Sequence, residues 1–307
     1  MSNLPLSRLD QAHALHPWTH FDTFTRDGPK VIVRGEGCWL WDESGARYLD
    51  AVGGLWCTNI GLGRDDMAEA IAEQARTLAF SSTFVDLSND PAARLAAKLA
   101  DLAPGDLNRV HFTTGGSTAI DSAYRLAQYV QAARGFDGRT HVIARDNSYH
   151  GSTFISMSIG LRDGDRVPGF TYEENSIHHL SAPSLYRRPE GMEEGDLTAH
   201  LVSEFEAKIA EVGAEKIAAF FAEPIQASGG VLVPPPDYLA AMARVCRRHG
   251  ILFVADEVVT GFGRLGHWFA SEHVYGVVPD IICSAKGLSS GYQPIGAVIF
   301  SDQIWAD

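Results

Sequence analysis

The sequence is poor in the residues that mark several whole classes of protein. Only four cysteines, Cys38, Cys57, Cys246 and Cys283, occur in 307 residues, and no two are spaced C-x-x-C. That excludes a disulfide-dense scaffold and the common dithiol metal or redox patterns. Their neighbours are largely apolar, so all four are expected as reduced core thiols of a cytoplasmic protein. Basic residues are outnumbered: 25 Lys and Arg face 38 Asp and Glu, for a formal net charge of −13. No basic run interrupts that acidity, which argues against a nucleic-acid or anionic-membrane partner. No apolar run reaches the roughly 20 residues that span a bilayer. The segment from Met1 to His20 lacks the apolar centre of a secretory leader. There is no repeat, low-complexity tract or long linker.

What is present is an ordinary globular composition. Hydrophobic residues make up 45% of the chain, enough for one large core, or a large and a small one. Residues 1–27 read as an irregular, partly helical arm. Residues 30–52 alternate apolar and polar around Asp42-Glu43-Ser44-Gly45, the pattern of a hairpin or small meander. Helical spacing follows at 64–79 and 91–103. From residue 109, short apolar runs at 109–113, 141–145, 217–222, 251–255, 280–284 and 295–300 alternate with helical patterns at 117–133, 197–212 and 236–249. This predicts an α/β fold with a mostly parallel central sheet and helices on both faces. The stretch 161–196, rich in Gly, Pro, Asp and Arg, reads as a long irregular loop.

Open α/β sheets bind ligands beyond the carboxyl ends of their strands. The residues that follow each run are therefore the candidates. Gly115-Gly116-Ser117 opens a helix and offers backbone N–H groups and a helix dipole to an anion; its plain reading is a capped turn. Tyr149-His150-Gly151 supplies an aromatic that can stack on a ring or simply fill the core edge. Glu223, before Pro224, can hold a cation or be a surface acid. Asp256 follows the apolar ILFVA, where a carboxylate is costly unless paired; a protonated heterocycle or a salt bridge would both serve. Lys286 follows IICSA. A lysine at the end of a buried strand is either a snorkelling side chain or a nucleophile, and desolvating an ammonium favours the neutral amine that Schiff-base chemistry needs.

Two patterns compete with that rim. Gly261-Phe262-Gly263-Arg264-Leu265-Gly266 fits the dinucleotide fingerprint, but Asp256 to Thr260 separate it from the strand and put acids where the pyrophosphate would sit. His16 and His20 are spaced like metal ligands, but Pro17 spoils a helical face, and the adjacent His178-His179 project apart.

Taken in order, FTTGGSTAIDSA, YHGST, FFAEPIQASGGVLVPP, ILFVADEVVTGFGRLG and DIICSAKGLSSGYQPIGAV resemble the class III aminotransferases. These are enzymes of fold type I that depend on pyridoxal 5'-phosphate (PLP). HPWT and GGLWCTNIGLGR fit the same pattern, and the resemblance covers about residues 16–307. It is nearest the ω-amine:pyruvate transaminases. It implies that Lys286 bonds to the cofactor as a Schiff base and moves the substrate proton, and that Asp256 pairs with the pyridinium nitrogen. Val258 and Tyr149 would pack on the two ring faces. Gly116 and Ser117 would hold the phosphate, and Glu223 would lie near the cofactor facing the substrate. Trp18, Trp56 and Phe84, with Tyr149, would line the substrate pocket, Phe84 reaching across a homodimer interface formed by residues 80–90. The implied layout is an arm and meander over 1–60 and a PLP-binding large domain over 61–307. The implied reaction is ping-pong transfer of an amino group from an amine or ω-amino acid to a keto acid. Pyruvate is the expected acceptor; a 2-oxoglutarate-dependent ω-amino-acid or diamine transaminase is the alternative. An aminomutase, a decarboxylase and a non-catalytic relative stay open, though the last would be expected to lose Lys286 or Asp256.

The sequence departs from the family in two ways. The usual S-G-S-E-A reads Gly115-Gly116-Ser117-Thr118-Ala119 here, which leaves the backbone phosphate contacts but loses a hydroxyl and an acid. The family also continues past residue 307 into a small C-terminal domain absent here. The 307 residues are therefore expected to be a catalytically incompetent fragment, whose assembly would be a homodimer or a tetramer built from it. No metal is expected.

Overall fold

The computed structural model describes residues 5–307, so the first four residues of the predicted arm lie outside the described residues. The chain forms two compact units, one up to Ala79 and one from Phe80 onward. The division falls later than residue 60 because the helix at 65–77 clusters with the N-terminal unit.

In the N-terminal unit, helices α1 (Leu6–His13) and α2 (Phe21–Asp27) precede the strands β1 (Ile32–Glu36), β2 (Trp39–Asp42) and β3 (Arg47–Leu49). The strands form an antiparallel three-stranded sheet in sequential order. The Asp42 side chain builds the turn between β2 and β3, accepting hydrogen bonds from the Ser44 and Ala46 amides, both at 3.0 Å. The aromatics of this meander are covered by its own cations: Arg47 lies 4.2 Å from the Trp39 ring centre and Arg34 lies 4.3 Å from Trp41. Such contacts stabilise a partly wet aromatic surface. A short turn, α3 (Gly53–Trp56), carries left-handed Gly54 and Leu55, and α4 (Asp65–Thr77) closes the unit.

The second unit runs α5 (Asp90–Leu102), β4 (Arg109–Thr113), α6 (Gly116–Ala133), β5 (His141–Arg145), α7 (Phe154–Ile159), β6 (Ile177–Leu180), α8 (Leu197–Val212), β7 (Ile217–Ala222), α9 (Tyr238–His249), β8 (Leu252–Asp256), α10 (Ala270–His273), β9 (Ile281–Ser284), β10 (Gly296–Phe300) and α11 (Asp302–Ala306). The seven-stranded sheet has the order β4-β10-β9-β8-β7-β5-β6. Strands β6, β5, β7, β8 and β9 are parallel neighbours, while β10 runs antiparallel to both β9 and β4. The mostly parallel sheet with flanking helices therefore stands as read.

Side chains of a strand alternate between faces, and this sheet buries both. Phe220, Phe253 and Ile282 pack on one side with Phe205 of α8 and Tyr238, Leu239 and Met242 of α9. Their neighbours Phe221, Val254 and Ile281 pack on the other with Ala119, Ile120 and Ala123 of α6. This is why the central strands read as unbroken apolar runs.

The sequence reading misses several elements outside those runs, among them one strand and a helix beside the rim. β6 lies within the stretch expected to be loop, and α7 follows the Tyr149 turn unannounced. Cys38 also corrects the expectation of four core thiols. Cys246 and Cys283 are buried, but Cys57 is only half-buried and Cys38 is exposed, because Cys38 falls in the turn between β1 and β2. Among the described residues, no helix is long and apolar enough to cross a membrane.

Candidate active site

Strands β4, β5, β7, β8 and β9 deliver the candidate residues of the second unit to one rim, and a ring of short contacts links them. Asp256 ends β8 opposite Cys283 of β9, and Lys286 follows after Ser284 and Ala285. A Cβ built on Gly116 would lie 3.0 Å from Val258 Cγ1 and 3.8 Å from the Ala285 Cβ. The start of α6 thus abuts the residue before the lysine and the residue two past the aspartate. Ser117 Oγ accepts a hydrogen bond from the Ser152 amide at 3.0 Å. A Cβ on Gly151, which has φ of +144°, would come within 2.5 Å of that same Oγ. Glycine is required there for the Tyr149 turn to approach α6.

Asp256 is buried and its carboxylate has two donors. His150 Nδ1 donates to Oδ2 at 2.7 Å and the Val258 amide donates to Oδ1 at 3.0 Å. A buried carboxylate has lone pairs beyond these two bonds, and it is stabilised by a further cationic donor. His150 is equally buried, and its Nε2 has no hydrogen-bond partner.

Glu223 is also buried. Its Oε1 accepts from the Tyr149 amide at 3.1 Å and its Oε2 from the Ala227 amide at 3.2 Å. Burial pushes its carboxyl up to about 7; His150 and Arg145 oppose that rise and Asp256 adds to it. Tyr149 is half-buried, with the Arg162 guanidinium 4.9 Å from its ring centre. Burial raises the Tyr149 phenol, the Asp165 charge adds to that, and Arg162 opposes it.

The backbone at the lysine is strained. Lys286 adopts φ of 43°, the left-handed region that costs a branched or long residue of order 1–3 kcal/mol and clusters at functional sites. A single helical turn holds it, with the Leu288 amide donating to Ala285 O at 2.9 Å.

The N-terminus of α6 suits an anion. No side chain caps it, and a Cβ at Gly115 would meet nothing within 4 Å. Ser117 uses its oxygen as an acceptor and keeps its O–H to donate. The departure at Thr118 has a local explanation: its hydroxyl donates back to Gly115 O at 3.0 Å and closes the first turn. A phosphate at the helix start, a cationic ring nitrogen at Asp256 and a carbonyl at Lys286 are together what PLP presents, so these residues fit that cofactor.

Trp18 and Trp56 belong to the N-terminal unit, and Phe84 sits at the exposed beginning of the second. The competing patterns dissolve. Gly261–Gly266 forms a hairpin-like loop, the Phe262 amide donating to Trp268 O at 2.7 Å and the Gly263 amide to His267 O at 2.9 Å, with no helix starting at its glycines. His16 pairs with Asp10 at 2.8 Å, His20 takes the Thr23 amide, His178 contacts His141 at 2.9 Å and His179 contacts Ile159 O at 2.8 Å. No group of three metal-ligating side chains occurs among the described residues.

Comparison with known proteins adds independent support. Residues 24–306 match the family model described as aminotransferase class-III. The chain is 40% identical over 302 residues to putrescine–pyruvate aminotransferase of Pseudomonas aeruginosa and 37% identical over 302 residues to diaminobutyrate–2-oxoglutarate transaminase of Halomonas elongata. Each match covers 96% of this chain and 64% of the relative, so the chain spans about two thirds or less of their length. An (S)-enantioselective ω-transaminase from Thermomicrobium roseum superposes with a TM-score of 0.95 at 44% identity, covering 98% of this chain and 67% of that one. An ω-transaminase from Pseudomonas jessenii, in complex with PMP, gives 0.95 at 36% identity, covering 99% and 67%.

Proposed function

The chain belongs to the class III aminotransferases, and from that premise we propose that it binds PLP at this rim and transfers an amino group from an amine or ω-amino acid to pyruvate. The observation that carries the reading is the buried Asp256 carboxylate, held by two donors with acceptor capacity left over, on the same rim as Lys286 and the uncapped start of α6. When bound, PLP supplies a carbonyl that takes up the amine and an electron-poor ring that accepts electrons from the substrate carbon.

The remaining work falls to this chain. Asp256 keeps the ring nitrogen protonated. Lys286 would be the residue that holds the cofactor carbonyl, and its free Nζ would take the proton from the substrate carbon and return it. Tyr149 and Val258 would hold the ring, and the Gly116 and Ser117 amides would hold the phosphate. The family resemblance assigns Trp18, Trp56 and Phe84 to substrate binding, and residues of that kind would favour a donor with an apolar body. The homodimer expected from the family resemblance is supported by the stretch after residue 79, where Phe80, Phe84 and Val85 are 81%, 80% and 82% exposed. Apolar side chains clustered at that exposure mark an interface. The free thiols suit a cytoplasmic setting.

Two measurements test this. Borohydride reduction of the PLP-loaded protein, followed by digestion and mass spectrometry, is expected to place the pyridoxyl group on Lys286; a label on another lysine would refute the assignment. Donor amine alone is expected to convert the PLP spectrum to that of the pyridoxamine form, and pyruvate to restore it. Restoration by 2-oxoglutarate and not by pyruvate would establish the alternative acceptor, which the Halomonas relative uses by name.

A further inference from the structure

Glu223 is placed by the family resemblance near the cofactor, facing substrate, and each of its oxygens also accepts a main-chain hydrogen bond. The two amides belong to different segments: Tyr149, after β5, and Ala227, in the turn after β7. The residue beside it in this arrangement is Arg145, the last of β5 and fully buried, whose Nη2 donates to the Glu223 carbonyl at 2.6 Å. Arg145 lies 5.9 Å from the Tyr238 ring centre, and its charge opposes the burial that raises the Tyr238 phenol. A guanidinium this deep is costly. Here it ties the end of β5 to the residue after β7, next to the turn that carries Tyr149.

We propose that Glu223 is a positioning residue: its carboxylate, anchored through its own carbonyl by Arg145, clamps the main chain of Tyr149 and so sets the aromatic face of the site. This rests on the reading of the rim as a PLP site. The charged groups facing Glu223 are Arg145 at the end of β5, His150 in the turn that follows, and Asp256 at the end of β8. The clamp has a signature that a packing role lacks. Because the carboxyl titrates at about 7, its ionisation converts it from one good acceptor to two in the middle of the accessible pH range. Both amides that it holds must then respond together.

The experiment uses the full chain, deuterated and labelled with 15N-tyrosine and 15N-alanine, with Tyr149→Phe and Ala227→Gly to assign the two amides. In the wild type, the Tyr149 and Ala227 amide protons are expected to move downfield with one shared midpoint as pH rises from 5 to 9. In the near-isosteric Glu223→Gln that shared titration disappears. PLP affinity, measured by equilibrium dialysis, falls roughly tenfold, the effect of losing a hydrogen bond to a charged group. Amides that do not titrate together, or a Glu223→Gln protein that binds PLP as the wild type does, would overturn the proposal. A borohydride label away from Lys286 in the wild type would instead overturn the cofactor reading, while the amide titration still decides the clamp.

Discussion

Asp256→Asn is expected to slow conversion of the PLP form by donor amine by about two to four powers of ten while leaving the far-ultraviolet circular dichroism unchanged. The side chain is almost isosteric, so the fold loses little volume. What it loses is charge at a buried point. Asp256 accepts from His150 Nδ1 at 2.7 Å and from the Val258 amide at 3.0 Å, and a carboxylate has acceptor capacity beyond two bonds for the cationic partner proposed above. Removing one member of a buried pair costs about 3–5 kcal/mol. If that loss is felt at the transition state, it becomes two to four decades in rate. Single-turnover absorbance measures it directly, without needing the second half-reaction. A rate within a few-fold of wild type would show that Asp256 does not govern the electronics of the ring.

The partners of Asp256 and Glu223 mark the limit of what the sequence discloses. The strands were legible because both faces of the sheet are buried, which makes Ile217–Ala222 or Leu252–Asp256 unbroken apolar runs. The rim was legible because Asp256 and Lys286 end such runs, where a charge is anomalous. β6 was not, since it is an edge strand of only four residues containing His178 and His179. The sheet order was not, because the antiparallel insertion of β10 between β4 and β9 depends on contacts far apart in sequence. His150 carried no signal of its own: its partner is 106 residues away, and beside Tyr149 it reads as the plainer of two ring-bearing residues. Arg145 did carry one. An arginine closing the run His141–Arg145 has the same anomaly as Lys286, and the structure shows it fully buried. Reading every charge at a strand end by that single rule would have found it.

Removal of the Glu257 carboxylate is expected to cost the fold a large part of its stability. Glu257 follows Asp256 directly. The structure gives Glu257 a different task. It is fully buried, and its carboxylate accepts from the Thr260 hydroxyl, from the Ala270 amide at 3.1 Å and from the Ser271 amide at 2.7 Å. It therefore closes the loop containing Gly261–Gly266 onto the first turn of α10. The glycines of that loop serve the turn: Gly263 and Gly266 have φ of 90° and 83°, and a Cβ on Gly261 would lie 3.0 Å from Glu257 O. Burial raises the Glu257 carboxyl, against the opposing effect of its Thr260, Ser271 and Ala270 donors. Its folded-state value lies above the unfolded one, so its contribution is greatest at low pH and declines as pH rises through that folded value. Glu257→Ala strands two backbone amides and a hydroxyl out of reach of water. At roughly 1–3 kcal/mol for each orphaned group, the variant is expected to lose about 3 kcal/mol or more, a large share of the 5–15 kcal/mol typical of a domain. Glu257→Gln, which keeps an acceptor, should lose less and should flatten the pH dependence. Urea unfolding of the three proteins across a series of pH values from 4 upward measures both effects. A midpoint for Glu257→Ala equal to wild type would mean that water replaces the carboxylate and that the loop is held by its hairpin bonds alone.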